Sequence, residues 1–326
     1  MYSSNLGNSS DLPPGFKSLS RIKGTGVFTR IEWSPDGRTL ALPSRDGTVQ
    51  MVDLDTLDAS STVLRGHSGA AICCAFHPNG SELAVGSYGN FSNIQIFERD
   101  TLCRWSLLGH AGQTSTIAFA PANGGGILVS GSHEDNTIKW WDIQKNGALL
   151  NSVDSPGVSC LAFSDAGQFL AASSLDGCLR VYTAEGKHSK TLIGHSAASL
   201  MVKWIDHNRL VSCGKDGTIK IWDVETGEAL HVLAGHTHSD VLSVDYCAPF
   251  LVSKARDHTV ILWHSNEKIA QLKARSTFCG WNVAARFHPL WPRVPLLAAV
   301  SAEDKAVDIF EIDLALFWNS NDYRRD

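Results

Sequence analysis

The sequence lacks the segments and signatures that assign many chains to a class at once. It has no apolar run long enough to cross a bilayer as a helix. Residues 1–11 are polar and lack the apolar stretch of a secretory signal. No Cys-x-x-Cys pair, His-Glu-x-x-His motif, Gly-x-Ser-x-Gly elbow or Gly-Lys-Ser/Thr phosphate loop occurs. These absences argue against a membrane-spanning helix, a zinc site of common spacing, an exposed serine nucleophile and a phosphate-loop enzyme.

Positive charge is also scarce. Lys and Arg number 28 against 33 Asp and Glu, which gives a formal net charge of -5. A chain with this balance has no general attraction for phosphate backbones, so the composition argues against nucleic acid as the direct ligand. The eight cysteines include the adjacent Cys73 and Cys74, and most others lie in apolar strand patterns. This pattern predicts reduced, buried thiols and a cytoplasmic location, with the nucleus as the alternative in a eukaryote.

What the sequence does contain is a repeat. Gly-His occurs at Gly66-His67, Gly109-His110, Gly194-His195 and Gly235-His236. The successive gaps are 43, 85 and 41 residues, so one copy has lost its Gly-His and the period is near 42. A fixed period in this range predicts stacked supersecondary units rather than independent domains.

A second marker counts the repeats independently. An aromatic residue ends an alternating strand, with a turn residue just beyond, at seven positions: Trp33, Phe76, Phe119, Phe163, Trp204, Tyr246 and Phe287. Each is followed by an apolar segment, a turn such as Asp216-Gly217, and an alternating strand such as Thr218 to Trp222. Four antiparallel strands per repeat predict an all-β, seven-bladed β-propeller.

These residues resemble the WD-repeat (Trp-Asp repeat) β-propeller family. Trp222-Asp223 and Trp141-Asp142 end their strands after an Asp-Gly or Asp-Asn turn, and the resemblance covers about residues 16–312. It implies a ring that closes when a strand from one end of the chain completes the blade at the other. The sequence supplies such a strand, Phe16 to Ile22, opposite a last repeat that has only three. We therefore expect this strand to complete the seventh blade and remove an open sheet edge.

The predicted domain organisation follows from that closure. Residues 1–15 are expected to form a flexible leader, 16–312 a single propeller, and 313–326 a tail. The apolar residues of Ile312 to Trp318 favour a short helix that packs on the propeller.

The residues that most resemble a catalytic site are Ser, His and Asp side chains that recur at constant spacing. His195, Ser212, Asp216 and Trp222 recur as His236, Ser253, Asp257 and Trp263, and blade 3 offers His110, Ser130 or Ser132, Asp135 and Trp141. A hydrolase needs one triad per chain, whereas strands need stapling in every blade. The repetition therefore predicts a structural relay of hydrogen bonds in these blades. Blade 2 is expected to contain a partial version that uses His67. No catalytic residue, metal site or cofactor is predicted.

A partner is expected on loops, because the strands of a propeller are committed to the ring. In the family, the residue before each turn Asp projects onto the face that carries the Gly-His loops. These residues are Arg45, Glu134, Leu175, Lys215, Arg256 and Glu303, and three of them are basic. The neighbouring loops contain five aromatic residues: Phe28, Tyr88, Phe91, Phe278 and Trp281. Arg with aromatic residues is typical of interface hot spots, so this face is predicted to bind an acidic protein segment. The alternative is that these are ordinary solvated turn residues and a cover for the channel mouth.

Three functions remain open on the sequence. The leading one is a non-catalytic interaction scaffold or adaptor, monomeric within a larger complex, because blade structure accounts for every recurrent polar motif. A sensor module is the second, since the segments that begin at Leu12 and Pro295 resemble propellers of prokaryotic signalling and defence proteins. A propeller hydrolase with a site at the channel mouth is the third, and it would need a unique acid and nucleophile cluster that the sequence does not show.

Overall fold

The chain folds into seven four-stranded antiparallel sheets in a computed structural model. The structure describes residues 12–56, 61–88, 93–98, 103–236, 239–273, 284–301 and 305–317. Within these ranges the helical segments are three short 3-10 turns, at Leu54–Thr56, Ala122–Gly125 and Leu314–Leu316. The predicted seven-bladed propeller with four antiparallel strands per blade is confirmed.

Each blade runs from an innermost strand to an outermost one. The first strand along the chain is β1 (Phe16–Lys23). Blade 1 contains β2 (Glu32–Trp33), β3 (Thr39–Pro43), β4 (Val49–Asp53) and β5 (Thr62–Leu64). Blade 2 contains β6 (Ala70–Phe76), β7 (Glu82–Tyr88), β8 (Asn93–Glu98) and β9 (Cys103–Leu108). Blade 3 contains β10 (Thr116–Phe119), β11 (Ile127–Ser132), β12 (Thr137–Asp142) and β13 (Ala148–Asp154).

The remaining blades repeat this order. Blade 4 contains β14 (Val158–Phe163), β15 (Phe169–Ser174), β16 (Leu179–Thr183) and β17 (His188–Leu192). Blade 5 contains β18 (Ser199–Trp204), β19 (Arg209–Gly214), β20 (Ile219–Asp223) and β21 (Ala229–Leu233). Blade 6 contains β22 (Val241–Cys247), β23 (Phe250–Ala255), β24 (Thr259–His264) and β25 (Glu267–Lys273). Blade 7 contains β26 (Ala285–Phe287), β27 (Leu296–Ser301), β28 (Ala306–Ile312) and β1.

The two ends of the propeller meet in blade 7. Strand β1 pairs antiparallel with β28, from Phe16 opposite Ile312 to Lys23 opposite Ala306. The predicted closure by an N-terminal strand is thus confirmed, and the outer edge of β28 is paired rather than exposed. Beyond the ring, the 3-10 turn at Leu314–Leu316 begins at Asp313, and Phe317 packs edge-on against Phe16 with ring centroids 6.0 Å apart.

Hydroxyl groups next to the channel join neighbouring blades. Thr29 donates to the carbonyl of Ala71 at 2.9 Å, and Ser115 donates to that of Val158 at 2.6 Å. Across the closure, His288 in blade 7 donates from Nε2 to the carbonyl of Gly37 in blade 1 at 3.0 Å. These bonds satisfy polar groups in the apolar packing between blades, so the innermost strands hold fixed positions around the channel.

Candidate functional site

Four side chains in blade 5 form one chain of hydrogen bonds. The indole N–H of Trp222 donates to Oγ of Ser212 at 2.8 Å, and the Ser212 hydroxyl donates to Nε2 of His195 at 2.7 Å. The other nitrogen of His195, Nδ1, donates to Asp216 at 2.8 Å. The carboxylate also accepts the backbone N–H of Ser196 and of Thr218. The arrangement ties β18, β19 and β20 together through the loop before β18.

Blades 3 and 6 contain the same arrangement. In blade 3 the serine is Ser130, which lies 2.7 Å from Nε2 of His110 and 2.8 Å from the indole nitrogen of Trp141, whereas Ser132 accepts the backbone N–H of Glu134 and Asp135. The alternative that the sequence left open in blade 3 is thus decided for Ser130. In blade 6 the four residues are His236, Ser253, Asp257 and Trp263. There, Nδ1 of the histidine lies 3.3 Å from the carboxylate and 2.8 Å from Oγ1 of Thr259.

In the three blades with the relay, the tryptophan beside the Gly-His pair explains why the first residue is glycine. A Cβ on Gly194 would lie 2.9 Å from Cη2 of Trp222, and a Cβ on Gly109 would lie 2.8 Å from Cη2 of Trp141. Real Cβ atoms are not found that close, so only glycine lets the loop lie against the indole ring. Gly-His is therefore a packing and hydrogen-bonding unit.

The electrostatics of the relay favour a neutral imidazole. Burial lowers the pKa of His195, and its hydrogen bond to Asp216 offsets this only in part. Burial acts to raise the pKa of Asp216, but hydrogen bonds from Thr218 and His195 lower it overall. An ionised carboxylate beside a neutral imidazole matches the donor order above.

The serines of the relay cannot serve as exposed nucleophiles in this conformation. Ser130, Ser212 and Ser253 each have 0% solvent exposure. Each hydroxyl oxygen already meets an indole N–H and an imidazole nitrogen. A substrate carbonyl would have no path to the oxygen without opening the blade, so the geometry suits a strand staple rather than acyl transfer.

Blade 4 replaces the relay with different partners. Tyr182 stands where the tryptophan would be, and its hydroxyl donates to Ser155 at 3.0 Å. The turn residue Asp176 accepts two bonds from the guanidinium of Arg180, the shorter at 2.6 Å. Burial acts to raise the pKa of Asp176, but the bond from Arg180 brings it to about 2.

A cavity of about 700 Å³ opens at the centre of the ring. Every blade contributes to its wall at or beside the innermost strand, through Arg30, Ile72, Ser115, Ser159, Met201, Leu242 and Ala284. Arg45, Tyr88 and Lys215, all predicted from the sequence, line the same cavity. So do His133 and Gln113, which the sequence argument missed. The turn of blade 3 has one extra residue, and this places His133 rather than Glu134 at the cavity.

Arg30 was also missed, and it crosses the channel. Its Nη2 lies 3.4 Å from the carbonyls of Ser115 and Ser159, which belong to blades 3 and 4. A charged residue between Thr29 and Ile31 in an otherwise buried segment was the available signal, because the centre of a propeller is the place where its innermost strands meet water.

Further charged residues occupy one fixed position in the repeat, immediately before the marker aromatic at the end of the innermost strand. The residue before each of the seven marker aromatics is Glu32, Ala75, Ala118, Ala162, Lys203, Asp245 and Arg286. Lys203 pairs with Asp245, which also accepts the backbone N–H of Phe287 at 2.9 Å. Burial raises the pKa of Glu32, and the positive charge of Arg286 opposes that shift. Blades 5, 6, 7 and 1 thus carry a charged layer where blades 2, 3 and 4 carry alanine.

Two further predicted partner-binding residues, Arg256 and Phe28, are not among the described residues that line the cavity. Arg256 is 55% exposed and lies 3.5 Å from Asp240, with which it forms an ion pair. Phe28 is buried, at 3% exposure, and its ring occupies the space beside Gly24. It therefore offers no surface to a partner. Phe91, Phe278 and Trp281 lie outside the described residues.

The described residues include no group of three or more His, Cys, Asp or Glu side chains placed to hold a metal ion. Their seven cysteines are all free thiols. Burial raises the pKa of Cys73 to about 12, which makes that thiol a weak nucleophile. No helix within the described ranges is long and apolar enough to cross a membrane.

The fold and the relay define a propeller of the repeat class, built from units that share one hydrogen-bonding plan. The family described as WD domain, G-beta repeat matches residues 59–91, 101–142, 147–183, 186–223 and 227–264. These segments cover more than half of the chain, and the chain belongs to this WD-repeat family. Most of the matches begin near an outermost strand and end on the third strand of the next blade, the same offset that closes blade 7.

Curated relatives show how the family is used elsewhere. The chain is 26% identical over 261 residues to the transcriptional corepressor LEUNIG_HOMOLOG of Arabidopsis thaliana, covering 78% of this chain and 32% of that protein. It is 26% identical over 306 residues to the ribosome biogenesis protein WDR12 homolog of Ixodes scapularis, covering 76% of this chain and 70% of that protein. It is 34% identical over 113 residues to the ribosome biogenesis protein YTM1 of Kluyveromyces lactis, covering 31% of this chain and 25% of that protein.

The chain thus spans about a third of the length of the first of these relatives. Propellers of this family are typically non-catalytic, and the relationship supports a general role as a protein-interaction scaffold.

Proposed function

We propose that this chain is a non-catalytic scaffold that binds an acidic segment of a protein partner on the face that carries the Gly-His loops. The observation that supports the proposal is the charge of the central cavity. Arg30, Arg45 and Lys215 line it, and its described lining residues include no Asp or Glu. In a chain of net charge -5, three cations around one opening form a local positive field that attracts an anionic partner.

The rest of the surface is consistent with a peptide ligand. Tyr88, 52% exposed, and Leu175, 41% exposed, lie at the cavity beside the cations and supply apolar area. Arg256 adds an exposed cation on the neighbouring blade, although its contact with Asp240 must be shared or broken on binding. Arg and Tyr are among the residue types enriched at interface hot spots.

A cytoplasmic location remains part of the proposal. The names of the relatives refer to transcriptional corepression and ribosome biogenesis, so membership of the family does not by itself fix the compartment.

The proposal predicts that reversing the charge of the three basic turn residues of this face, Arg45, Lys215 and Arg256, abolishes binding. Arg45→Glu, Lys215→Glu and Arg256→Glu are combined, and the variant is compared with the unchanged protein in affinity purification followed by mass spectrometry. The same proteins are titrated with a decaglutamate peptide by calorimetry at low ionic strength. We expect the acidic partners and the decaglutamate heat signal to be lost, because like charges now face each other across the interface.

A matched control separates local from net charge. Arg38, Lys145 and Lys187 are exposed and lie in turns between first and second or third and fourth strands, on the opposite face. Arg38→Glu, Lys145→Glu and Lys187→Glu change the net charge equally and are expected to leave binding within about threefold, since screening weakens charges beyond a Debye length of ~10 Å. Retention of every partner by the first variant, or equal loss in both, contradicts the proposal.

A further inference from the structure

We infer that the bound segment inserts one oxyanion, a side-chain carboxylate or phosphate, into the central cavity, where it pairs with Arg30. This inference rests on the proposed function and names the group that the site selects.

Arg30 has more hydrogen-bonding capacity than its neighbours use. A guanidinium has five N–H donors, and the described partners of Arg30 are two carbonyls at 3.4 Å, near the limit of a useful bond. No ion pair joins Arg30 to a carboxylate among the described residues. A cation that has lost much of its water gains most from an ionised acceptor, because charge-assisted and bidentate bonds are the strongest available to it.

The cavity has the size and lining for a side chain that ends in an oxyanion. About 700 Å³ lies within the usual range for ligand sites, roughly 300–1,000 Å³. Ile72, Leu200 and Leu242 form apolar wall on which a methylene or methyl stem packs, while Arg45 and Lys215 lie among the turns at the mouth. An incoming anion thus meets cations at the entrance, apolar contacts on the wall and Arg30 across the channel.

No Asp or Glu side chain is among the described residues that line the cavity. Glu32 and Asp245 belong to the charged layer with Lys203 and Arg286, and neither lines the cavity. Glu32 lies close enough to interact with the charge of Arg30, but no ion pair joins these two side chains, so the guanidinium keeps N–H donors for an incoming oxyanion.

The test uses Arg30→Met, which keeps an unbranched apolar stem and removes the guanidinium with its charge. The probes are decaglutamate and a Gly/Ser decapeptide with one central phosphoserine, titrated by calorimetry. We expect Arg30→Met to weaken the better probe by about tenfold or more, because a hydrogen bond to a charged group contributes at least one factor of ten in affinity. Arg30→Lys keeps the charge but not the bidentate geometry, so its affinity for the probe is expected to lie between that of the unchanged protein and that of Arg30→Met. Tighter binding of one probe distinguishes carboxylate from phosphate.

A second variant reaches the same question without altering Arg30. Ala198 lines the cavity, and Ala198→Trp narrows it while leaving the cations of the mouth in place. We expect the same loss of affinity as for Arg30→Met, and this variant decides the matter if Arg30→Met does not fold, as judged by its thermal unfolding curve. Unchanged affinity in the folded variants overturns the inference. If decaglutamate binding then still depends on Arg45, Lys215 and Arg256, the proposed function stands without it.

Discussion

Blades 3, 5 and 6 differ from blades 1 and 2 in how the same structural positions are filled. In blade 5 the second strand contributes Ser212, whose hydroxyl joins His195 and Trp222 in the four-residue relay. In blade 2 the register places Val85 and Phe97 where blade 5 has Ser212 and Trp222, and His67 packs against Phe97 with centroids 6.0 Å apart. An apolar pair without an indole N–H needs no hydroxyl partner. The comparison teaches that the Ser, His and Asp set is one of several ways to hold a blade together.

The blades also differ in the charge that their innermost strands place near the channel. Blade 1 contributes Arg30 and Glu32, whereas the corresponding segments of blades 3 and 4 contribute Thr116 with Ala118 and Cys160 with Ala162. The relay and the charges are thus distributed independently, since blades 5 and 6 carry both, blade 1 carries charge without the relay, and blade 3 carries the relay with alanine in the charged layer. Function is therefore expected to follow the cations, whereas stability is expected to follow the relay.

The largest expected effect comes from making a relay blade resemble blade 2. Ser212→Val leaves the indole N–H of Trp222 and Nε2 of His195 buried without their shared partner. Stranding two buried polar groups is expected to lower the free energy of unfolding by about 2–4 kcal/mol. Chemical denaturation followed by tryptophan fluorescence measures the change.

The control is a serine outside the relay. Ser152 on β13 is exposed and accepts a bond from Nζ of Lys139. Ser152→Val is expected to change the free energy of unfolding by less than about 0.5 kcal/mol, as surface substitutions usually do. Equal effects of the two substitutions would show that the relay adds no stability of its own.

The fold could be predicted from the sequence because each repeat contains the same structural signals, so the signals could be checked against one another. The aromatic at the end of each innermost strand and the turn after each second strand have local causes, so their period was enough to count blades and to locate the closing strand β1. The relay also followed from spacing, except that Ser130 and Ser132 both satisfied it. Only the register of β11 against β12 separates them, since it places Ser130 beside Trp141.

The residues that face the channel could not be predicted from the repeat in the same way. Whether Phe28 is exposed depends on Gly24, which has no side chain and so leaves space for the aromatic ring. The contact of Arg30 with Ser115 and Ser159 spans half the ring and 85 or 129 residues of sequence. Such contacts depend on the closed circle rather than on any local pattern.

A smaller effect separates the blades by pH. Burial lowers the pKa of His110, His195 and His236 below the usual 6.5, so the unfolded chain binds protons before the folded one as pH falls. Stability is thus expected to decrease as pH falls below about 6.5 through these groups. Asp46 and Asp176 lie in blades without the relay, and each has a pKa of about 2. Burial acts to raise these pKa values, but hydrogen bonds from Thr48 to Asp46 and from Arg180 to Asp176 lower them. Their contribution is expected to persist until pH falls below about 4.

Urea unfolding at a series of pH values between about 7 and about 5 tests this difference. His195→Gln removes one titrating imidazole and is expected to flatten the pH dependence, whereas Asp176→Asn is expected to leave its slope unchanged. A slope that His195→Gln does not alter would contradict the assignment of this dependence to the relay.

The most direct measurement compares the same turn position in adjacent blades. Asp216→Ala leaves Nδ1 of a fully buried imidazole without its acceptor, since the side chain of His195 is 0% exposed. Asp176→Ala leaves Arg180, whose side chain is 16% exposed and therefore keeps some access to water. The account predicts that Asp216→Ala lowers the free energy of unfolding by about 1 kcal/mol more than Asp176→Ala does. Equal losses in the two variants would contradict the claim that the relay staples its blade.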